Sequence, residues 1–402
     1  MLDRVEEPSA SDRERRAIEL IGRARELIPL IERAGDRIEG ERGIPDDVLD
    51  ALHDARLFRL LLPRSLDGEE VEPATLFQVL EQIAQGDGSV GWCVSQASGA
   101  STGAAYMKPA VAKTVFGDAR AVVATGPNNN VAKAVVCDGG YRVTGGWGFA
   151  SGSGHAAWMY GHATVCEPDG SPRLGGNGTP LDLRTAIFPK SSAVLADDWH
   201  VMGLKGTGSV SYSVQDLFVP EDFTFMRESD AERHEQGPLY KFSMFNLFGV
   251  GFSGVALGLA RRMLDDFIKL ALTKKPYGAT TLLCENNVIQ SQVGLSEIRL
   301  QAARNFVLDT YRKHYQAVSQ GLRFTQDMRV TNRTVTCYAI QQAREVMNFV
   351  YHAAGATSIY EANPFERRFR DLNTVTQQGQ GAYSNFEAFG QVLMGKTPTR
   401  QT

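Results

Sequence analysis

The chain begins with segments in which apolar residues recur every three or four positions. In AIELIGRARELIPLIERA, residues such as Ile18, Ile21 and Ile28 form the apolar stripe of an amphipathic helix. Pro45 stands where a second helix would begin, and Pro73 opens a third, ATLFQVLEQIAQ, which the sequence GDGS ends. The pattern predicts a helical N-terminal domain over residues 1–119.

A two-residue period replaces the helical period from about Ala121. Short runs rich in β-branched and aromatic residues, among them AVVATGP, AKAVVCDGGYRVTG and VSYSVQDLFVP, are separated by Gly, Pro, Asp and Asn. The sequence CDGGY has the composition of a hairpin turn between two such runs. We therefore expect a β-barrel or sandwich domain over residues 120–225.

The helical period returns after about Phe242 and persists nearly to the end. GVGFSGVALGLARRMLDDFIKLAL and two later segments are each long enough to cross a domain, and their polar residues mark outer faces. NPFERRFRD is predicted to be a loop before a final helical tail. A bundle of long helices is expected over residues 226–402, so the fold class is α+β.

Composition and charge exclude several classes of protein. The 402 residues include 42 Lys plus Arg and 46 Asp plus Glu, a net charge of −4, which does not indicate a nucleic-acid surface. No apolar run approaches the roughly 20 residues of a membrane-spanning helix, and the charged N-terminus is unlike a secretory signal. We expect a cytoplasmic protein that binds neither nucleic acid nor a membrane.

The motifs of common cofactor and metal sites are absent from the sequence. No GxGxxG follows a strand and opens a helix, and no GxxxxGK[ST] occurs, so neither a Rossmann site nor a P-loop is predicted. The 5 cysteines lie far apart without a CxxC pair, and the 7 histidines never stand in an HExxH spacing. We expect no metal, no disulfide framework and no binding site for a nicotinamide cofactor.

The densest local signal is GGWGFASGSGHAAW. Trp147 and Phe149 precede a Ser-Gly-Ser-Gly turn, which exposes backbone N–H groups and two hydroxyls beside flat apolar rings. That combination suits a planar heteroaromatic ligand with hydrogen-bonding edges. The alternative is a strand that ends in a glycine-rich turn and keeps both aromatic side chains in the core.

Three further segments carry a resemblance to a known family. GLKGTGS, KKPYG ahead of Gln290, and RFRDLNTVTQQ resemble, in this order along the chain, signature segments of the acyl-CoA dehydrogenase superfamily. Each segment alone has a simple structural reading, as a helix with a salt-bridge cluster or a loop before a strand. Together they imply an acyl-CoA dehydrogenase-like fold: an N-terminal helical domain, a central β-barrel and a C-terminal four-helix bundle.

Two branches of the superfamily differ at a catalytic residue. In dehydrogenases a glutamate, commonly eight residues after the Arg-Asp aspartate, removes the α-proton of a thioester. Counting from Asp371, that position is Gly379, and no carboxylate follows until Glu387. Some members carry the base on an earlier helix, so an FAD-dependent acyl-CoA dehydrogenase with a relocated base remains the alternative. A non-enzymatic helical scaffold without flavin is a second alternative.

The other branch comprises the oxygenase components of two-component flavin-dependent monooxygenases. GWGFASG and GDGSVGWC resemble its barrel turn and a helix start. The resemblance implies that reduced flavin, FADH2 or FMNH2, reacts with O2 to a C4a-hydroperoxide, which hydroxylates an aromatic or heteroaromatic molecule of indole or phenol type. A separate NAD(P)H-dependent flavin reductase would be the partner that supplies the electrons.

The resemblance also assigns residues. Ser151 would lie near flavin N5 and C4a, and Gln378 replaces a histidine that many of these enzymes have. Because an amide donates a hydrogen bond but takes no proton near neutral pH, an electron-rich substrate such as an indole is favoured. Further flavin contacts are expected at Trp147, Phe149, Gly152, Ser153, Gly208, Ser209 and Gln377, with Lys274 and Gly355 reaching a neighbouring subunit's flavin in a homotetramer. The substrate pocket is expected at Trp92, Ser95, Phe245 and Phe248.

Overall fold

The computed structural model describes residues 10–127, 132–174 and 184–398, which form a helical region, a sheet and a second helical region. The N-terminal helices are α1 (Ala10–Arg33), α2 (Gly35–Glu41), α3 (Asp46–Asp54), α4 (Pro73–Gly86), α5 (Gly88–Ser101) and α6 (Pro109–Phe116). The strands are β1 (Val123–Thr125), β2 (Lys133–Cys137), β3 (Gly140–Trp147), β4 (Trp158–Cys166), β5 (Arg184–Pro189), β6 (Val194–Leu195), β7 (Tyr212–Pro220) and β8 (Thr224–Met226). The C-terminal helices are α7 (Met244–Ala271), α8 (Asn287–Ser319), α9 (Gln326–Ala354), α10 (Phe365–Val375) and α11 (Ser384–Leu393).

The predicted starts of the early helices agree with the structure. Pro45 immediately precedes α3, and Pro73 is the first residue of α4. The GDGS sequence separates α4 from α5 because the Asp87 carboxylate caps α5, accepting hydrogen bonds from the Ser89 and Val90 N–H groups at 2.8 and 3.1 Å.

The prediction of a loop at NPFERRFRD was wrong. Pro364 stands directly before α10, which begins at Phe365 and buries Phe365, Arg368 and Leu372 on one side. The fixed φ of proline suits a helix start, and apolar residues seven positions apart share one helix face. Only the asparagine and proline of the segment lie outside the helix.

The strands form one mixed sheet in the order β6-β7-β3-β2-β4-β5-β8, with β1 pairing beside β4. The predicted hairpin is present: Cys137 pairs with Gly140 across the turn between β2 and β3, and Gly139 has a φ of 73°. Side chains on one side of the sheet form their own core around Trp147 and Tyr212. The sequence GGNG at 175–178 is predicted to be a turn, and it lies outside the described residues.

The two helical regions pack against each other through α4 and α7. An added Cβ at Gly254 of α7 would meet the Phe77 carbonyl oxygen of α4 at 2.6 Å, so only glycine permits this close approach. α7 is long and apolar enough to cross a membrane, but most of its apolar stretch is buried inside the fold, as in a core helix. α5 contacts α7, β1 and the turn Lys205–Thr207, so it joins the helices to the sheet.

Candidate active site

A cavity of about 740 Å³ opens where α5, the sheet, α7 and the segment after α10 meet. Its described lining combines aromatic rings, hydroxyls and side-chain amides. Such a mixture, mostly apolar with a few polar groups, is typical of small-molecule sites. Of the residues predicted for the site, the lining contains Trp92, Phe149, Ser151, Ser209, Phe245, Phe248, Gln377 and Gln378.

A chain of hydrogen bonds connects the Trp92 indole to the loop before β7. The indole Nε1–H donates to Ser151 Oγ at 3.0 Å, and Ser151 Oγ lies 2.7 Å from Ser209 Oγ. Ser209 Oγ lies 2.6 Å from Thr207 Oγ1, which donates to the Leu204 carbonyl at 2.8 Å. Four side chains of this cavity are thus held in place by one continuous network.

The network has a fixed direction because each hydroxyl has one proton. Thr207 donates to Leu204, so Ser209 donates to Thr207 and Ser151 donates to Ser209. Ser151 Oγ accepts one bond from Trp92 and keeps one lone pair. Toward a molecule in the cavity, Ser151 is therefore a hydrogen-bond acceptor.

Phe149 presents a flat ring at the mouth of the cavity. Its φ of 58° is in the left-handed region, which is uncommon for a bulky residue, and its side chain is 60% exposed. The ring lies edge-on to Trp199, with 6.0 Å between centroids. A strained backbone that holds an apolar ring in the open indicates a function in binding rather than in packing.

Trp147 does not face the cavity, which corrects the expectation that it packs beside the flavin. It is fully buried in the core of the sheet, where its ring lies 5.2 Å from Tyr212 and its Nε1–H donates to the His162 carbonyl at 3.0 Å. β3 ends at Trp147, and the positive φ of Phe149 turns the chain after it, so the core reading holds for Trp147 and fails for Phe149.

Aromatic side chains of α5 and α7 form one wall of the cavity. The Trp92 ring stacks on Phe252 with centroids 3.9 Å apart and an interplanar angle of 7°, and Phe248 lies next to Phe252. Phe245 also lines the cavity, and the Arg333 guanidinium lies over its ring, 4.1 Å from the centroid. The wall offers an apolar, planar surface to an aromatic molecule.

Gln378 lies at the cavity edge with its amide fixed by the backbone. Its side-chain oxygen accepts a hydrogen bond from the Gln380 N–H at 2.9 Å, capping the short turn Gly379–Gly381. Its buried Nε2 has no hydrogen-bond partner among the described residues. Gln378 is thus both a capping residue and a free donor.

Several predicted site residues lie apart from the cavity lining. Ser95 is buried between α5 and α7, against Gly251. Ser153 Oγ donates to the Gly208 carbonyl at 3.1 Å and Gly152 N–H donates to the Thr207 carbonyl, so these residues fix the turn behind Ser151. Ser95 is therefore corrected from pocket residue to packing residue.

Lys274 and Gly355 are brought together elsewhere, beyond the cavity. The Lys274 ammonium donates to the Ala354 carbonyl at 2.5 Å and to Thr357 Oγ1 at 2.7 Å, next to Gly355. They do not line this chain's cavity, and their contact with a neighbouring subunit's flavin stays a prediction.

Several lining residues were not predicted from the sequence, His162 and Arg227 among them. His162 Nδ1 lies 2.9 Å from Thr185 Oγ1 and its Nε2 lies 3.2 Å from Thr125 Oγ1. Burial holds the pKa of His162 well below its ordinary value, so the imidazole is neutral. Strand alternation on β4 would have placed His162 on one face of the sheet, but not beside this cavity.

A pair of buried carboxyl groups supports the cavity from outside. Asp371 Oδ1 accepts a hydrogen bond from the Leu204 N–H at 2.6 Å, and Leu204 lines the cavity. Burial, together with the charge of Asp87, raises the pKa of Asp371 to about 8. Burial also raises the pKa of Asp87 to about 6. The aspartate of the Arg-Asp segment is thus a protonatable anchor for the loop before β7.

The residues present fit a flavin. The exposed Phe149 ring, the acceptor Ser151 and the unpartnered Gln378 amide surround one cavity. A flavin is a flat ring system with polar edges, so it needs an apolar surface together with a hydrogen-bond acceptor and a hydrogen-bond donor. Phe149, Ser151, Ser209 and Gln377 would hold it.

Relatives and solved structures support this interpretation. Residues 250–379 match the family described as "Acyl-CoA dehydrogenase, C-terminal domain". The chain is 29% identical to indole-3-acetate monooxygenase of Pseudomonas putida over 89% of each chain. It is 24% identical to the flavin-dependent monooxygenase oxygenase subunit HsaA of Mycobacterium tuberculosis, over 86% of this chain and 88% of that one.

A solved structure extends the match to the whole fold. XiaF from Streptomyces sp., determined in complex with FADH2 and glycerol, superposes with a TM-score of 0.90 at 23% identity, covering 98% of this chain and 99% of that chain. The acyl-CoA dehydrogenase-like fold predicted from the signature segments is confirmed. The relatives are named flavin-dependent monooxygenases, as the resemblance implied.

Proposed function

We propose that this chain, which has the fold of the acyl-CoA dehydrogenase superfamily, is the oxygenase component of a two-component flavin-dependent monooxygenase. Its cofactor is reduced flavin, and its co-substrate is O2. Its substrate is an aromatic or heteroaromatic molecule of indole or phenol type.

One observation carries the proposal: the described cavity lining contains no aspartate or glutamate. A dehydrogenase of this fold needs a carboxylate to remove the α-proton of its thioester. Gly379 lines the cavity at the expected position of that base, and Glu387 is exposed on α11, outside the lining. The relocated base is therefore not found among the residues that line the described site.

The side chains of the cavity have the properties that an oxygenase needs. Bound reduced flavin would supply oxygen transfer to the substrate, through a C4a-hydroperoxide. Ser151 keeps a lone pair for an N–H donor, and reduced flavin, unlike oxidised flavin, has a proton on N5. The unpartnered Gln378 Nε2 would donate a hydrogen bond to a bound molecule. The wall of Trp92, Phe248 and Phe252 would shield the reaction from water and pack against an aromatic ring.

The partners follow from the same chemistry. The sequence has no nicotinamide-binding motif, and the HsaA relative is named an oxygenase subunit, so a separate NAD(P)H-dependent reductase would deliver the reduced flavin. The indole-3-acetate monooxygenase relative makes an indole the first substrate to test. A homotetramer in the cytoplasm is part of the proposal.

The test compares two reactions of the purified protein. Chemically reduced FAD or FMN is mixed with aerated buffer and an indole or a phenol, and products heavier by one oxygen are measured. In parallel, acyl-CoA thioesters are offered with oxidised FAD and an electron acceptor. Hydroxylated product without thioester oxidation supports the proposal, and the opposite result establishes the dehydrogenase.

A further inference from the structure

Arg227 is a cation beside the cavity, and it has no ion-pair partner among the described residues. It follows β8 directly, lines the cavity, and is partly buried. Within the described chain, its guanidinium makes no ion pair and donates no hydrogen bond. Among the described residues that line the cavity, no other side chain is charged. A guanidinium has five N–H donors, so a partly buried one without partners is unusual.

The carboxylates nearest to Arg227 along the chain are bound by other groups. Glu228 pairs with Arg329 at 2.7 Å and accepts a hydrogen bond from the Met244 N–H at 2.8 Å. Asp230 pairs with Arg233 at 2.6 Å.

Glu232, the third of these carboxylates, pairs with Arg184 at 2.8 Å and accepts from the Met226 N–H at 2.7 Å. Each of these three carboxylates is therefore paired with another arginine, and Arg227 has no ion-pair partner among the described residues.

The described cavity lining also contains no negatively charged side chain that could pair with Arg227. His162 is neutral and is held between two threonine hydroxyls. The charge of Arg227 in turn lowers the pKa of His162. Burial lowers the pKa of Arg227 itself, and the charge of Glu228, which is paired with Arg329, opposes that shift only in part. A cation without an ion-pair partner in partly desolvated surroundings attracts an anion more strongly than a surface cation does.

We infer that Arg227 binds a carboxylate carried by the aromatic substrate. The inference rests on the proposed function and names its substrate class: an aromatic acid. The guanidinium fork matches a carboxylate with two parallel hydrogen bonds. The aromatic wall of Trp92, Phe248 and Phe252 lines the same cavity, so one ligand with a ring and an acidic side chain can contact both.

The test measures equilibrium binding without oxygen, in the protein loaded with reduced flavin. Two probes of equal size are compared by calorimetry: indole-3-acetate and its neutral amide. The variants are Arg227→Gln, Arg227→Lys and, as a matched control, Arg120→Gln, which removes an exposed surface arginine paired with Asp50. Reduced FMN and reduced riboflavin are titrated separately, because the phosphate of FMN is the other anion that Arg227 could bind.

We expect Arg227→Gln to weaken binding of the acid by about 10- to 100-fold, the value of a hydrogen-bonded charge pair, and to change binding of the amide less than threefold. Arg227→Lys should restore part of the affinity, and Arg120→Gln should match the parent. Equal losses for acid and amide, or a parent that does not prefer the acid, would overturn the inference. A loss for FMN but not for riboflavin would assign Arg227 to the flavin phosphate instead.

The binding result is independent of turnover. If the acid binds through Arg227 but neither probe is oxygenated, the proposed function fails while the anion site stands. If the amide is oxygenated by a parent that shows no preference for the acid, the inference fails while the proposed function stands.

Discussion

Replacing Ser151 with alanine tests the hydroxyl network at the centre of the site. The change removes the acceptor of the buried Trp92 N–H and the donor to Ser209, while Ser209 keeps its bond to Thr207. One buried indole N–H is left without a partner, which costs about 1–3 kcal/mol of folding stability. For a chain of 402 residues this lowers the melting temperature by roughly 1–4 °C.

The functional effect of Ser151→Ala is distinguishable from that loss of stability. Losing one hydrogen bond of about 0.5–1.5 kcal/mol to the reduced flavin should raise the peroxide released per hydroxylated product by roughly 2- to 13-fold. Peroxide and product are measured after mixing reduced flavin, aerated buffer and substrate. Ser153→Ala is the control, because its hydroxyl bonds to Gly208 behind the turn. A Ser151→Ala variant with the parent's peroxide ratio would refute the role of Ser151.

Three further predictions concern Gln378, the carboxyl pair and assembly. Gln378→Ala should shorten the lifetime of the oxygenated flavin in stopped-flow absorbance while flavin still binds, and Gln378→His should introduce an ionisation between about pH 6 and pH 8. Asp87→Asn keeps the helix cap and should raise the melting temperature more at pH 8 than at pH 5. Sedimentation at micromolar concentration should show a homotetramer.

The sign of the Asp87 prediction follows from proton binding. The pKa values of Asp87 and Asp371 are raised to about 6 and about 8, so the folded protein holds protons that the unfolded chain releases above about pH 4. The stability from this pair is therefore present in acid and is lost as the pH rises through these folded values. An equal rise in the melting temperature of Asp87→Asn at pH 5 and at pH 8 would contradict the raised pKa values of this pair.

Two other outcomes would contradict the remaining predictions. A Gln378→Ala variant with the parent lifetime at every pH would leave Gln378 as a cap alone. A stable monomer would remove the shared-site role of Lys274 and Gly355.

The sequence predicted best those features that depend on local order. The caps and prolines of α3, α4 and α5 lie within a few residues of the elements that they start, and the hairpin at Gly139 depends on its own turn. Ser151 and Gln378 could be named because their motifs resemble a family. The helix α10 was missed because its charged surface obscured the buried stripe of Phe365 and Leu372.

Tertiary placement accounts for the features that the sequence did not predict. Arg227 stands in a run of charged residues that is typical of a solvated loop, and the pairing of Glu228 with the distant Arg329 leaves it without an ion-pair partner among the described residues. Trp147 and Phe149 are two residues apart, yet one lies in the sheet core and the other at the cavity mouth, because the positive φ of Phe149 redirects the chain. Neither effect has a local signature.

The origin of the oxygen atom in the product tests the central proposal most directly. The protein is given reduced flavin, an indole or phenol, and ¹⁸O2 in unlabelled water, and the product is analysed by mass spectrometry. We expect one labelled oxygen atom per hydroxylated product, formed only when protein, reduced flavin and O2 are present together. Substrate recovered unchanged while the reduced flavin is consumed, or a product whose oxygen comes from water, would contradict it.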